Sequence, residues 1–107
     1  MPAFDDRSHQ VSLEDARSYT RRFRASRKAA PGQGDHASTF KGADVMELLL
    51  QQGCWGLRIY RGHDTKGSNC LVLVGVDEKG RDLTSGVLLE MGWPCPPFCD
   101  DESPLGA

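Results

Sequence analysis

The longest apolar run of the chain, L-V-L-V-G-V at residues 71–76, is the feature that most constrains its fold. It is rich in β-branched residues and lies between Ser68 and Asn69 on one side and the turn-forming D-E-K-G of residues 77–80 on the other. A short apolar run between turn residues is typical of a strand that is buried on both faces. We therefore expect residues 71–76 to form the central strand of a sheet.

Two flanking segments predict partners for this strand. Residues 54–60, C-W-G-L-R-I-Y, alternate in polarity and predict a half-buried strand antiparallel to the central one. Residues 77–80 predict a turn with Gly80 at a positive φ, and residues 87–90 predict a short third strand. From residue 92 onward the tail is rich in proline, which fixes φ and lacks an N–H, so we expect it to be irregular.

Two helices precede the strands. Ser12 can cap the first, with Asp15 three residues later, and the helix is expected to end at residue 26 or 27. A loop is expected at residues 29–39, and a second helix is expected to start between residues 40 and 44 and to end at Gln52 before Gly53. The apolar faces are formed by Leu13, Ala16, Tyr19, Thr20 and Phe23 in the first helix and by Val45, Met46, Leu48, Leu49 and Leu50 in the second. The predicted fold class is α+β, with two helices packed on a small antiparallel sheet of two or three strands.

A chain of 107 residues predicts a single domain, residues 1–107, with residues 1–10 polar and frayed. No apolar stretch approaches the ~20 residues of a membrane span. Asp5, Asp6 and Arg7 lie where a signal peptide would be apolar, so a cytoplasmic location is expected. A net charge of −2 argues against a protein that coats nucleic acid.

The exposed side of the first helix is predicted to be basic. Its cationic residues are Arg17, Arg21, Arg22, Arg24, Arg27 and Lys28. The functional interpretation is a patch that binds phosphate or an acidic partner. The alternative is a solvated face whose charges suit the negative end of the helix dipole. The solvated face is the more usual outcome for a charge run, and nucleic-acid binding is the weakest of the functional hypotheses.

The cysteine pair of the tail, Cys95 and Cys99, is the main candidate for chemistry. A segment stiffened by Pro96 and Pro97 suits a metal chelate, and zinc would bind both thiolates at about 2.3 Å and require two further ligands. A disulfide is sterically possible but disfavoured by a reducing compartment. A redox pair, with Cys95 attacking and Cys99 resolving, is opposed by the acidic residues 100–102. Unreactive thiols are the remaining alternative.

The remaining metal ligands are open at this point. Cys54, Cys70, His36 and His63 are the candidates, and His9 is set aside as a lone histidine in a polar segment. Cys54 and Cys70 begin consecutive antiparallel strands, which places them on the order of 20 Å apart at ~3.3 Å per residue. Both cannot bind one ion, so the path of the tail decides between them.

Three motifs together resemble a group of short, uncharacterised bacterial proteins: residues 53–62 (G-C-W-G-L-R-I-Y-R-G), residues 71–83 (L-V-L-V-G-V-D-E-K-G-R-D-L) and residues 94–99 (P-C-P-P-F-C). The resemblance covers most of the chain from about residue 12 onward. It implies that His36, Cys54, Cys95 and Cys99 belong to one site, and it makes Cys70 a less favoured ligand, because the pattern of the group does not call for cysteine there. For His36 and Cys54 to meet, residues 35–41 must fold back along a helix of about 15 Å.

The leading functional hypothesis is a zinc-binding module, with Cys95, Cys99, Cys54 and His36 as ligands, that acts by binding a protein partner. No catalytic spacing or cofactor fingerprint is found in the sequence, which favours a binding protein over an enzyme. The alternative is a thiol redox protein or sensor that uses Cys95 and Cys99. No membrane association is expected.

Overall fold

The computed structural model describes residues 3–26 and 37–106. In chain order its elements are α1 (Leu13–Ser26), β1 (Ala37–Thr39), α2 (Gly42–Leu49), β2 (Gly56–His63), β3 (Asn69–Val76), β4 (Leu88–Leu89) and β5 (Trp93–Cys95). One antiparallel sheet has the order β2-β3-β4, and a two-stranded antiparallel sheet pairs β1 with β5. The predicted α+β class is confirmed.

The chain divides into two compact units. One comprises the described residues of Met1–Asp6 and Phe40–Gly92, and the other comprises those of Arg7–Thr39 and Trp93–Ala107. The three-stranded sheet and α2 therefore belong to the first unit, and α1 and the β1–β5 ribbon belong to the second. Neither α1 nor α2 is long and apolar enough to cross a membrane, and these are the helices of the described ranges.

The core of the first unit lies around β3, as the sequence predicted. Leu73, Val74 and Val76 of β3 are buried, and α2 packs against all three strands of the sheet and contributes Leu48, which is completely buried. Burying a side chain of this kind contributes about 1.5–3 kcal/mol. The predicted pairing of residues 54–60 with the central strand is confirmed, and β2 is displaced by a few residues to Gly56–His63.

The turns at the two ends of β3 have the same pattern of hydrogen bonds between an Asp side chain and backbone N–H groups. Asp64 Oδ1 accepts from the backbone N–H groups of Lys66 and Ser68, each at 2.9 Å. After β3, Asp77 Oδ1 accepts at 2.9 Å from the N–H groups two and four residues later. The third residue after each Asp is a glycine at positive φ, +81° at Gly67 and +82° at Gly80. The pattern G-x-D-x-K-G-x, at residues 62–68 and 75–81, encodes both turns.

In α1 the predicted cap is confirmed, because Ser12 Oγ accepts from the N–H of Asp15 at 3.0 Å. The predicted apolar face is only partly covered. Ala16 and Thr20 are half-buried, but Leu13 and Tyr19 remain more than half exposed. Arg24 reaches the C-terminal segment, where its guanidinium donates to the carbonyl of Leu105. The described part of α1 thus makes a polar contact with the C-terminal segment.

The β1–β5 ribbon differs from the sequence-based expectation. Residues 96–106 contain no helix or strand, as predicted, but Trp93–Cys95 forms a strand that pairs with Ala37–Thr39 of the expected loop. Pro94 stands opposite Ser38 in this ladder. A two-stranded ribbon leaves one edge of each strand unpaired, and a residue without an N–H is tolerated there. The expectation of an entirely irregular tail is therefore wrong for Trp93–Cys95.

Candidate functional site

Cys95 and Cys99 are joined by a disulfide bond, with their Cα atoms 4.8 Å apart. The sequence analysis had considered a disulfide sterically possible but disfavoured, because a reducing compartment was expected. Sulfur atoms bonded to each other are not thiolates, so in this form the pair does not bind zinc. Cys95 ends β5 and is half-buried, whereas Cys99 is exposed in the irregular segment that follows.

A tight turn places the two cysteines side by side. The N–H of Phe98 donates to the carbonyl of Pro94, and the N–H of Cys99 donates to that of Pro97, both at 2.9 Å. The rings of Trp93 and Phe98 lie against each other with centroids 6.5 Å apart. The peptide bonds before Pro96 and Pro97 are both cis. Strand pairing of β5 holds one end of this turn, and the other end runs into the acidic tail.

The exposed sulfur is followed by three carboxylates. Asp100, Asp101 and Glu102 are all exposed, and Asp100 Oδ1 accepts from the N–H of Glu102 at 3.1 Å. Negative charge beside an exposed sulfur repels an approaching anion, and added salt screens that repulsion. An anionic molecule that approaches Cys99 is therefore repelled more than a neutral or cationic one.

Cys54 and Cys70 are free thiols in the first unit, and both are half-buried. The thiol of Cys54 donates to the carbonyl of Gly56 at 3.2 Å. Burial raises the pKa of the Cys70 thiol, and the neighbouring charges of Glu90 and Asp64 raise it further. The ladder pairs Cys70 with Gly62, whereas Cys54 precedes the Gly56–Val76 end, so the two thiols lie at opposite ends of the β2–β3 pair, as expected.

The predicted zinc set, Cys95, Cys99, Cys54 and His36, stays a prediction. His36 lies outside the described residues, and Cys54 belongs to a different unit from Cys95 and Cys99. Within residues 3–26 and 37–106, no three His, Cys, Asp or Glu side chains form a group that could hold a metal ion.

A polar network on β2 was not predicted. Arg58 Nη1 donates to Asp82 Oδ1 at 2.6 Å and to the carbonyl of Gly80 at 3.1 Å. The hydroxyl of Tyr60 donates to Asp82 Oδ2 at 2.5 Å. The Tyr60 hydrogen bond and then the Arg58 guanidinium lower the pKa of Asp82 below its ordinary value. The only sequence signal is the i, i+2 spacing of Arg58 and Tyr60, which places them on one face of a strand.

An open cleft of about 400 Å³ lies beside this network, lined by Gln51, Gln52 and residues 82–86. The side chain of Gln51 is already engaged on both sides. Its Nε2 donates to the carbonyl of Leu48 at 2.7 Å, and its Oε1 accepts from the N–H of Val87 at 2.8 Å. Gln51 therefore ties α2 to the segment before β4, which is a structural role.

The basic side of α1 is present on the described part of the helix. Arg17, Arg21 and Arg22 are exposed, and the guanidinium of Arg22 lies 5.8 Å from the centre of the Tyr19 ring. Arg27 and Lys28 lie outside the described residues. Binding of an acidic partner or of nucleic acid by this helix stays a prediction.

Comparison with protein-family models, with curated proteins and with solved structures gives no match to this chain. The resemblance to short bacterial proteins therefore stays a prediction, and the functional case depends on the geometry of the chain itself.

Proposed function

We propose that the protein is a thiol–disulfide redox protein whose Cys95 and Cys99 pass between the bonded and the dithiol form. The observation that carries the proposal is their disulfide within a turn that presents Cys99 to solvent. Exposed disulfides are the ones that typically act as labile, regulatory or catalytic bonds. This reverses the order of the sequence-based hypotheses, which placed zinc binding first.

Cys99 is exposed to solvent and Cys95 is half-buried, and this difference assigns different roles to their sulfurs. An external thiolate attacks the exposed Cys99 Sγ, the S–S bond breaks, and Cys95 Sγ leaves with the electron pair and takes up a proton. A second external thiolate then attacks the external sulfur of the mixed disulfide, which releases Cys99 and an external disulfide. Two electrons thus pass from two external thiols to the pair. The sequence-based hypothesis had assigned the attacking role to Cys95.

The two free thiols of the same chain can be compared with the Cys95–Cys99 pair in this reaction. Cys54 and Cys70 are half-buried, and the pKa of Cys70 is raised, so at neutral pH its reactive thiolate is scarce. We therefore expect reduction and oxidation to change the state of the tail pair and to leave these two thiols reduced.

The experiment is a trapping reaction with glutathione. Oxidised protein is incubated with reduced glutathione, quenched with acid, alkylated and mapped by peptide mass spectrometry. We expect the transient mixed disulfide on Cys99 and the alkyl group on Cys95. In Cys95→Ser, oxidised glutathione should form a mixed disulfide with Cys99 that accumulates, because no second thiol displaces it. A folded protein whose 95–99 bond resists both glutathione and dithiothreitol would overturn the proposal.

A second candidate is zinc binding by the reduced protein, in which the thiolates of Cys95 and Cys99, held in one turn, would be two of the ligands. A metal bound there would make the protein a stapled module that binds a protein partner. Native mass spectrometry of reduced protein should show one zinc ion, and His36→Ala or Cys99→Ser should lose it. A metal-free reduced chain rules this candidate out.

A further inference from the structure

Strand β2 has an open backbone edge. In the described residues it pairs only with β3, since the sheet order is β2-β3-β4. The N–H of Asp64 donates to the carbonyl of Ser68, so these two residues form a hydrogen-bonded pair of the β2–β3 register. Hydrogen-bonded and non-hydrogen-bonded pairs alternate along an antiparallel pair of strands. Even-numbered residues of β2 then bond to β3, and the N–H and C=O groups of Leu57, Ile59 and Arg61 point outward from the sheet.

Devices that normally protect an edge are scarce in this strand. β2 has eight residues, Gly56–His63, contains no proline, and pairs with β3 without a bulge along its length. Its side chains remain accessible as well, because Ile59 is 55% exposed and Leu57 is 37% exposed. A long edge without proline or a bulge, and with exposed apolar side chains, can serve as a template for an added strand.

The charge of the edge selects the partner. The sequence of β2, G-L-R-I-Y-R-G-H, contains basic residues and no acidic one. The charge of Arg58 is already paired with Asp82, which leaves Arg61 as the exposed guanidinium on the outward-facing positions. An added antiparallel strand would place its own residues opposite Leu57, Ile59, Arg61 and His63, where opposite charges and apolar pairs are stabilising.

We propose that β2 binds an extended acidic peptide segment as an additional antiparallel strand. The segment has acidic side chains opposite His63 and Arg61, followed at two-residue steps by β-branched apolar residues opposite Ile59 and Leu57. A second copy of this chain fits less well, because β2 contains no acidic side chain that could pair with Arg61. The contacts of the added strand are made by β2 alone and involve neither Cys95 nor Cys99.

The probe is an acetylated and amidated octapeptide, Glu-Thr-Glu-Thr-Val-Thr-Val-Thr, with Lys-Thr-Lys-Thr-Val-Thr-Val-Thr as its charge-reversed control. Titration into labelled full-length protein is followed through backbone amide NMR signals. We expect the amides of Leu57, Ile59 and Arg61 to shift with the acidic peptide and to exchange more slowly with solvent. The basic peptide should bind about fivefold more weakly, since the side-chain pair with Arg61 changes from attraction to repulsion.

Variants separate edge pairing from general charge attraction. Arg61→Glu should reverse the preference and favour the basic peptide, whereas Arg21→Glu, the same change on exposed α1, should leave the preference unaltered. N-methylation of the two valines should abolish binding, because it removes the hydrogen bonds of the added strand. Equal binding of both peptides, shifts that map outside β2, no shifts at millimolar peptide, or a concentration-dependent dimer through β2 would each overturn the proposal.

Discussion

Arg58 and Asp82 form an ion pair that ties the edge strand to the turn after β3, with Arg58 Nη1 2.6 Å from Asp82 Oδ1. Tyr60 occupies the other carboxylate oxygen through its hydroxyl. The three side chains therefore hold β2 to the segment that begins at the Val76–Asp82 bridge. Arg58 and Tyr60 stand opposite Val74 and Val72 in the ladder, so the network covers the same side of the sheet as these valines.

Acid should weaken this network. The pKa of Asp82 is lower in the folded protein than in the unfolded chain, where it is about 3.9. Its contribution to the free energy of unfolding is therefore fully present above the unfolded pKa and is lost as the pH falls through the folded pKa. Urea unfolding of wild type and Asp82→Asn should show the variant less stable at neutral pH, with the difference shrinking at low pH. A difference that does not change with pH would contradict this assignment.

Tyr60→Phe is the matched variant, because it keeps the ring and removes only the hydroxyl. It should raise the pKa of Asp82 towards its ordinary value, since the Tyr60 hydrogen bond is the largest cause of the lowering. The pH titration of the Asp82 carboxyl carbon by NMR measures this directly. An unchanged titration curve would mean that Arg58 alone sets the charge state of Asp82.

The repeated turns should be sensitive to their glycines in the same way. A side chain at Gly67 would meet no atom within 4 Å, but φ is +81° there. Gly67→Ala should therefore cost about 1 kcal/mol through the left-handed backbone alone, and Gly67→Asn should cost less. Thermal or urea unfolding checks both variants. Equal stability of wild type and Gly67→Ala would show that the turn adopts another conformation in solution.

Leu48 should dominate the packing of α2. It is completely buried, so Leu48→Ala should lower the free energy of unfolding by about 2–5 kcal/mol. Met46 lies on the same helix and is 59% exposed, which makes Met46→Ala the control with little expected effect. Similar losses for the two variants would contradict the packing of α2 on the sheet.

The sequence predicted those parts of the fold that local patterns determine. At four places the preference of residues close together in the chain agrees with the observed backbone. These are the apolar run of β3, the alternation in β2, the Ser12 cap and the turn at Gly80. The β1–β5 ribbon was missed because it pairs residues that are far apart in the chain, and because Pro94 argues locally against a strand. The ribbon is stabilised by pairing between two segments that are distant in the sequence, so a pattern within either segment alone does not predict it.

The sequence singled out Cys95 and Cys99, which the structure joins, but it did not predict that they are bonded to each other. Their spacing fits a chelate and a disulfide equally well. The stiffening prolines favoured a chelate, and the expected reducing location argued against a disulfide. Asp82 was missed because its partners on β2 are brought to it only by the folded chain.

A short disulfide loop should contribute moderately to stability. Closing the few residues between Cys95 and Cys99 is worth about 2 kcal/mol in chain-entropy terms. Cys95→Ser combined with Cys99→Ser should lower the melting temperature of oxidised protein to that of reduced wild type. Cys70→Ser should leave the effect of reduction unchanged. A melting temperature that does not respond to reduction would show that the bond does not stabilise the second unit.

The most direct test of the redox assignment is a count of thiols across a series of glutathione buffers of increasing reducing power. Folded protein is equilibrated in each buffer, quenched with acid, alkylated and weighed by intact-protein mass spectrometry. The account predicts two alkyl groups per chain at the oxidising end, on Cys54 and Cys70, and four at the reducing end, with Cys95 and Cys99 appearing together and the change fully reversible. Four alkyl groups in every buffer, or two in every buffer, would contradict it.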